Sequence, residues 1–333
     1  MSAPAPSMYS DAAKKTADKL GLKMGRTNLD EFASTLQALA QANRNVLAVT
    51  SDSRGSGKLA PYGKALPNQI IEIGIAEQNL VGVAAGLASC GKTVFAVSPA
   101  CFLTARSLEQ IKNDVAYSDN PVTLVGISAG VSYGALGTTH HSLHDLAVLR
   151  AINNLTIVAP ADNFEAREAV KAAAAAKHPV YLRFGKSPLY DLPTTEPFAF
   201  GKARILHEGT DLAFIATGET VVHALLAAAH LEQTADLRCR VISMPTVKPL
   251  DTEAILQAAR DCEAVVTVEE HMVCGGLGEA CAGVIAQSGI PVHFRIVGIP
   301  DEYTVTGSQA DIFRHYGLTM EGLADTAKKL LGR

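Results

Sequence analysis

IIEIGIAEQNLVGVAAGLASCG, residues 70–91, decides how the rest of the chain is read. It opens on an apolar run, Ile70, Ile71 and Ile73, and passes into a helical segment rich in small residues, from Gly82 to Ser89. At the junction sits a carboxylate, Glu77, among Ile73, Ile75, Leu80, Val81 and Leu87. A carboxylate in such surroundings is costly to ionise without a partner. Two readings follow. Glu77 is either a helix-start acid resting on the positive end of the dipole, or a buried acid that shares a proton with a ligand nitrogen.

Working outward, strand and helix patterns alternate. Residues 28–42 carry an apolar stripe, Leu29, Phe32, Leu36 and Leu39, with Asn28 as the expected cap. A strand at 46–50 ends in a polar loop, SDSRGSGK (51–58), where α/β sheets place ligand groups; the GxxxxGK[ST] spacing of a phosphate-binding loop is absent. A strand over 93–97, a helix over 102–117 and a strand over 121–127 follow, then a glycine-rich segment, 128–145, too long to be an ordinary connection. Helix 145–152, strand 155–159, helix 163–177 and strand 179–184 complete the first alternation. Three prolines in residues 187–200 break the pattern, and a second alternation runs to the end of the chain. The expected architecture is α/β, with two doubly wound domains. Residues 1–24 read as a frayed Pro/Ala/Ser-rich arm, 25–190 as the first domain, 191–202 as a linker and 203–333 as the second domain.

Composition narrows the class. The net charge of −4 with no Lys/Arg run argues against nucleic acid as the main partner. No stretch reaches the roughly 20 apolar residues needed to cross a bilayer. Six cysteines without a CxxC pair suggest buried, reduced thiols and a cytoplasmic location.

Chemistry concentrates in TTHHSLHD, residues 138–145. His140 and His144 could share a helix face, yet no HExxH pattern or third carboxylate ligand is evident, so a metal site is the weaker reading. A substrate-binding role, with imidazoles hydrogen-bonding hydroxyls and a carbonyl, is the stronger one; a turn with Asp145 as helix cap is the plain alternative. Arg183, at a strand end, suits a phosphate or a structural ion pair equally. Phe102 is either core or a face for a flat ring. In the second domain, VEEHMVCGGLGEA (268–280) reads as a strand, a tight glycine turn and a helix start, with Glu269, Glu270 and His271 near an interface.

Taken together, GIAEQN, FLTARSLEQIKND, GTTHHSLHDLAVLR, YLRFG and VEEHMVCGGLGEA resemble, in this order, the C-terminal half of transketolases over roughly residues 25–330. The resemblance implies a thiamine-diphosphate pyrimidine-binding domain followed by a transketolase C-terminal domain. The GDG…Asn motif that holds metal and diphosphate in such enzymes is absent from the sequence. The chain is therefore expected to be the C-terminal subunit of a split transketolase. An N-terminal subunit would carry that motif with Mg²⁺ or Ca²⁺, this chain would hold no metal, and the two would pair as a heterotetramer. By the same resemblance, Glu77 matches the acid that hydrogen-bonds the aminopyrimidine, and Phe102 the aromatic stacked on it. Asp52 matches a cofactor-side acid, His140 the histidine that binds substrate hydroxyls, and Ser56, Arg183 and Arg26 groups that bind a substrate phosphate. Transketolases carry an acid where this chain has Leu136 and a second histidine where it has Ser128, so the sugars used are open. Pentose phosphates are the expected substrates. The β subunit of a 2-oxo acid dehydrogenase, deoxyxylulose-phosphate synthase and a non-catalytic pairing paralogue are the alternatives; the histidine loop and Arg183 favour sugar phosphates.

Overall fold

The computed structural model describes residues 7–194 and 197–333. Two parallel-rich sheets, each covered by helices on both faces, account for most of the chain. The first part runs α1 (Asp11–Lys19), β1 (Met24–Thr27), α2 (Asn28–Ala42), β2 (Val46–Thr50), α3 (Ala60–Ala65), β3 (Ile70–Glu72) and α4 (Glu77–Ser89). It continues with β4 (Thr93–Pro99), α5 (Ala100–Arg106), α6 (Leu108–Gln110), β5 (Val122–Ile127), α7 (Asp145–Arg150), β6 (Thr156–Val158), α8 (Asn163–Ala175), β7 (Val180–Phe184) and β8 (Pro188–Tyr190). The second part runs β9 (Arg204–His207), β10 (Leu212–Ala216), α9 (Thr220–Ala235), β11 (Cys239–Ser243), β12 (Thr246–Lys248) and α10 (Thr252–Asp261). It closes with β13 (Ala264–Met272), α11 (Leu277–Ser288), β14 (His293–Ile299), α12 (Gln309–His315) and α13 (Met320–Leu331).

The larger sheet has the order β12-β6-β7-β5-β4-β2-β3 and the smaller β14-β13-β10-β11-β9, parallel except for β12 and β9 at their edges. The central strands β2, β5 and β7 are buried along their whole length, as expected of strands covered on both faces. Parallel strands end on one side of the sheet, and there the loops after β2, β4, β5 and β7 gather.

Several local readings are corrected. Thr27 caps α2, accepting from the Asp30 N–H, while Asn28 is the first helical residue and turns its amide to the Pro160 carbonyl. The helix expected over 102–117 is three pieces: the Ser107 hydroxyl bonds to the Leu103 carbonyl and breaks α5, and Ile111–Tyr117 adopts a wider π-helical turn. The arm read as frayed is built into the fold from Met8 onward: Met8, Tyr9, Ala13 and Ala17 join the second domain's core, with Tyr9 packed on Tyr190 and His223. Residues 1–6 of that arm, and Thr195 and Glu196 of the expected linker, lie outside the described residues. β12 crosses the expected domain division, pairing antiparallel with β6 although it follows β11 in sequence. Four of the six free cysteines are buried; Cys90 and Cys274 are exposed. Among the described residues no helix is long and apolar enough to cross a membrane.

Candidate active site

Glu77 is the first residue of α4, and the backbone before it lacks a side-chain cap. Its side chain is only 5% exposed, while its neighbour Ile75 is 74% exposed. Both carboxylate oxygens accept from the Arg106 guanidinium, at 2.9 and 3.0 Å. Arg106 and Phe102 stand four residues apart on α5 and so share a helix face. The Arg106 Cζ lies 4.4 Å over the Phe102 ring, a cation–π contact. One flat cation thus bridges an aromatic face and a buried carboxylate.

The contacts continue. Phe102 meets the His140 ring edge-on at 5.3 Å, and His140 meets Tyr133 edge-on at 5.6 Å. The Lys186 ammonium lies 4.4 Å over the Tyr133 ring. A line of side chains, Glu77, Arg106, Phe102, His140, Tyr133 and Lys186, therefore runs across the loop side of the first sheet. His140 Nδ1 lies 3.0 Å from the Thr139 hydroxyl, and Nε2 has no protein partner among the described residues.

The other two loop histidines do different work. His141 is buried; its Nε2 donates to the Gly134 carbonyl at 3.0 Å, which leaves Nδ1 to accept from the Thr304 hydroxyl at 2.7 Å. Burial holds its pKa below the ordinary histidine value, so it pins the loop as a neutral ring. His144 Nε2 reaches the Thr104 hydroxyl at 3.3 Å. Among the described residues no group of three or more His, Cys, Asp or Glu is placed to hold a metal ion.

Asp145 does not cap its helix. It is fully buried and accepts from the Tyr181 hydroxyl and from Arg183 Nε, both at 2.8 Å. Burial pushes its pKa up, but the Arg183 charge, with His271 and the two hydrogen bonds, outweighs burial and holds it below the ordinary value. Arg183 also donates from Nη2 to the Ser142 and Glu270 carbonyls. At 7% exposure its guanidinium is a structural tie between the histidine loop and the second domain. Nε and Nη2 of Arg183 are thus engaged by protein, while Nη1 has no hydrogen-bond partner among the described residues.

The remaining expected residues stand apart from this line. Asp52 is exposed, in a left-handed conformation (φ +52°), and its N–H donates to Glu72 at 2.6 Å. Glu72 also accepts from Thr50 and Gly74 and forms a 3.2 Å ion pair with Arg54, and so ties the loop after β2 to the turn before α4. Partial burial pushes Glu72 up, but those hydrogen bonds and the Arg54 charge hold it below the ordinary carboxylate value. Ser56 is partly buried on the same loop. Arg26 is tied to Glu31 through Nε and Nη2 and to Ser34. No hydrogen bond or ion pair among the described residues joins Asp52, Ser56 or Arg26 to Glu77, Phe102 or His140. Sequence reasoning missed Arg106, Tyr133, Lys186 and Glu72. Only the Phe102/Arg106 spacing of four residues was available as a signal.

The chain matches the family model of the transketolase pyrimidine-binding domain over residues 27–190 and that of the transketolase C-terminal domain over 201–323. It is 48% identical over 298 residues to a subunit of the apulose-4-phosphate transketolase of Phocaeicola vulgatus, covering 89% of this chain and 95% of that one. It is 34% identical over 305 residues to a 6-deoxy-6-sulfo-D-fructose transketolase subunit of a Clostridium species, covering 91% and 94%. Among solved structures, one described as a split gene transketolase, inactive beta4 tetramer, superposes with a TM-score of 0.83 at 34% identity, covering 92% of this chain and 99% of that one.

Proposed function

The chain belongs to the transketolase family, and from that premise we propose that it is the C-terminal subunit of a two-polypeptide transketolase. It moves a two-carbon ketol unit from a ketose phosphate to an aldose phosphate with thiamine diphosphate. The observation that carries this reading is the buried Glu77 carboxylate set beside the Phe102 face, with the flat Arg106 cation between them.

The residues present fit an aminopyrimidine. A planar, nitrogen-bearing cation already satisfies both the carboxylate and the aromatic face, and a planar nitrogen heterocycle makes the same two contacts when Arg106 swings away; Arg106 is half exposed and free to do so. When bound, the cofactor supplies the nucleophilic carbon that ketol transfer needs. Glu77 accepts or shares the proton of the ring nitrogen, away from water, where such a bond is strong. Phe102 orients the ring. His140, with Nε2 uncommitted, hydrogen-bonds the sugar's hydroxyls. Asp52 is assigned to the cofactor side, Ser56 to the sugar's phosphate, and Arg26 to the same phosphate on leaving Glu31.

The relatives support a shared site. One chain that this one resembles over nearly its whole length is named as a transketolase subunit, and another is described as an inactive tetramer. We assign the diphosphate and Mg²⁺ or Ca²⁺ to a partner subunit carrying the GDG…Asn motif, the working unit to a heterotetramer, and the compartment to the cytoplasm, in keeping with six free cysteines. The sugar need not be a straight-chain pentose phosphate: Leu136 is 53% exposed on the histidine loop, and the relatives are named for apulose 4-phosphate and a sulfonated deoxyfructose.

The test is a ketol-transfer assay with thiamine diphosphate and Mg²⁺, comparing this chain alone with the chain co-expressed with a GDG-bearing transketolase subunit. Xylulose 5-phosphate, apulose 4-phosphate and 6-deoxy-6-sulfofructose are offered in turn, with several aldose phosphates. Transfer by the mixture alone is the expected result. Transfer by the isolated chain, or an assembled complex that binds cofactor and transfers nothing from any donor, overturns the proposal.

A further inference from the structure

The second domain reaches into the histidine loop at the residues that bracket His140. Thr304 is buried on the connection between β14 and α12. Its hydroxyl lies 2.7 Å from His141 Nδ1 and 3.1 Å from the Thr138 hydroxyl. The direction of this chain of bonds is fixed at one end. The Gly134 carbonyl can only accept, so Nε2 of the neutral His141 ring carries the proton and Nδ1 is an acceptor. Thr304 therefore donates its one proton to His141 and accepts from Thr138. Between the two held residues stand only Thr139 and His140, joined to each other by the 3.0 Å contact of the Thr139 hydroxyl with His140 Nδ1. The N–H groups of His140 and His141 both close on the Gly137 carbonyl, at 2.9 and 3.1 Å. The turn that carries His140 is tight, and Thr304 pins both of its ends.

Other contacts hold the same loop from the same side. Glu270 of β13 accepts from the Val131 N–H at 2.8 Å. Gly130 and Gly134 lie against the second domain in left-handed conformations, φ +61° and +48°, and a Cβ would collide with the Glu270 carboxylate at the first and with the Gly307 carbonyl oxygen at the second. The loop around His140 is thus seated on the second domain, whereas Glu77, Phe102 and Arg106 stand on α4 and α5 of the first. The groups assigned to the cofactor ring and the group assigned to the sugar have different supports.

We propose that Thr304 is a positioning residue for His140. By holding Thr138 and His141, its hydroxyl sets the direction of His140 Nε2, and through it the second domain governs sugar recognition without touching the sugar. The role of His140 rests on the ketol-transfer reading; the hold of Thr304 on the loop does not.

The experiment compares Thr304→Val, which keeps the shape and removes the hydroxyl, with Thr304→Ser, which keeps the hydroxyl. Amide hydrogen exchange on the full chain reads the loop. Thr304→Val is expected to speed exchange of residues 134–142 roughly tenfold while β5 and β10 keep the wild-type rate. Ketol transfer by the two-subunit complex reads the consequence. Thr304→Val is expected to raise the KM for the ketose phosphate roughly tenfold, with kcat and the KM for thiamine diphosphate within about twofold of wild type. Thr304→Ser is expected to restore both the exchange rate and the KM. In a His140→Ala background Thr304→Val is expected to change KM no further, because a residue that acts through His140 then has nothing left to position. Additive effects of the two substitutions, an equal rise in the KM for thiamine diphosphate, or wild-type exchange of the loop in Thr304→Val would each overturn the proposal. Faster loop exchange in Thr304→Val, together with a wild-type complex that transfers nothing, would uphold the hold of Thr304 on the loop and overturn the ketol-transfer reading. Should Thr304→Val fail to fold, Thr138→Ala on the exposed turn removes one of the two contacts. A rise in KM that His140→Ala cancels supports the proposal, and no change overturns it.

Discussion

Arg183 and Asp145 meet through a 2.8 Å bond from Nε to Oδ2, with both side chains buried. The pair joins the end of β7 to the start of α7, and through the Glu270 carbonyl it reaches the second domain. Removing one member leaves the other charge buried and alone. Arg183→Gln and Asp145→Asn are each expected to destabilise the chain by about 3–5 kcal/mol, read from urea unfolding midpoints. A direct phosphate ligand would instead show a higher substrate KM with an unchanged midpoint.

Glu77 is expected to separate chemistry from assembly. Glu77→Ala should lower ketol transfer roughly 100-fold or more while the two subunits still co-elute in size-exclusion chromatography. A variant that transfers at the wild-type rate would remove Glu77 from the mechanism.

The second domain predicts a pH dependence of stability. Glu219 and Glu270 are buried where the two domains meet, bridged by Gln309 Nε2 at 2.8 and 2.9 Å. Burial, and for Glu219 next the charge of Glu270, raises both above the ordinary carboxylate value, although Arg183 opposes the rise at each. Glu269 is pushed to about 7 by burial, against the N–H groups of Gly278 and Leu277. His223 and His271, which burial lowers to about 4, work in the opposite sense up to the ordinary histidine value of 6.5; above it the raised carboxyls act alone, the folded chain binds more protons than the unfolded one, and stability falls as pH rises. The urea midpoint is expected to drop between about pH 6.5 and 8, the window set by that linkage, and Glu219→Gln should flatten the slope. A midpoint that rises across this window would contradict the assignment.

Tyr9 measures how firmly the N-terminal segment is held. Its ring centre lies 4.8 Å from that of Tyr190 and 5.1 Å from that of His223. Tyr9→Ala is expected to cost about 3 kcal/mol in thermal or urea unfolding; a cost near zero would return the segment to the status of a loose arm.

Much of the fold was legible because burial on both faces leaves continuous apolar strands. β2, β5 and β7, with helices α2 and α8, follow the expected limits closely. What escaped depends on tertiary partners. α1 is short and polar in composition, and only the second domain's core gives Met8 and Tyr9 a place to pack. The π-turn at Ile111–Tyr117 has the same apolar spacing as an ordinary helix. In the site, Glu77 stood out because its apolar neighbours make a lone carboxylate costly. Nothing local announced that Arg106, in a separate helix, would meet it, or that Arg183 would meet Asp145 from another strand. An arginine's spacing in sequence carries no record of which carboxylate it finds.

Three residues of the second half of the chain, Thr246–Lys248, complete the edge of the first sheet, and the buried Arg204–Glu165 pair fastens the same seam. A protein stitched in this way can be divided ahead of the first sheet, but a break inside it would strip one fragment of its border strand and leave a raw hydrogen-bonding edge exposed. The two lobes therefore behave mechanically as one part, and exchanging a single lobe between relatives requires carrying the Thr246–Lys248 stitch along with the lobe that it borders.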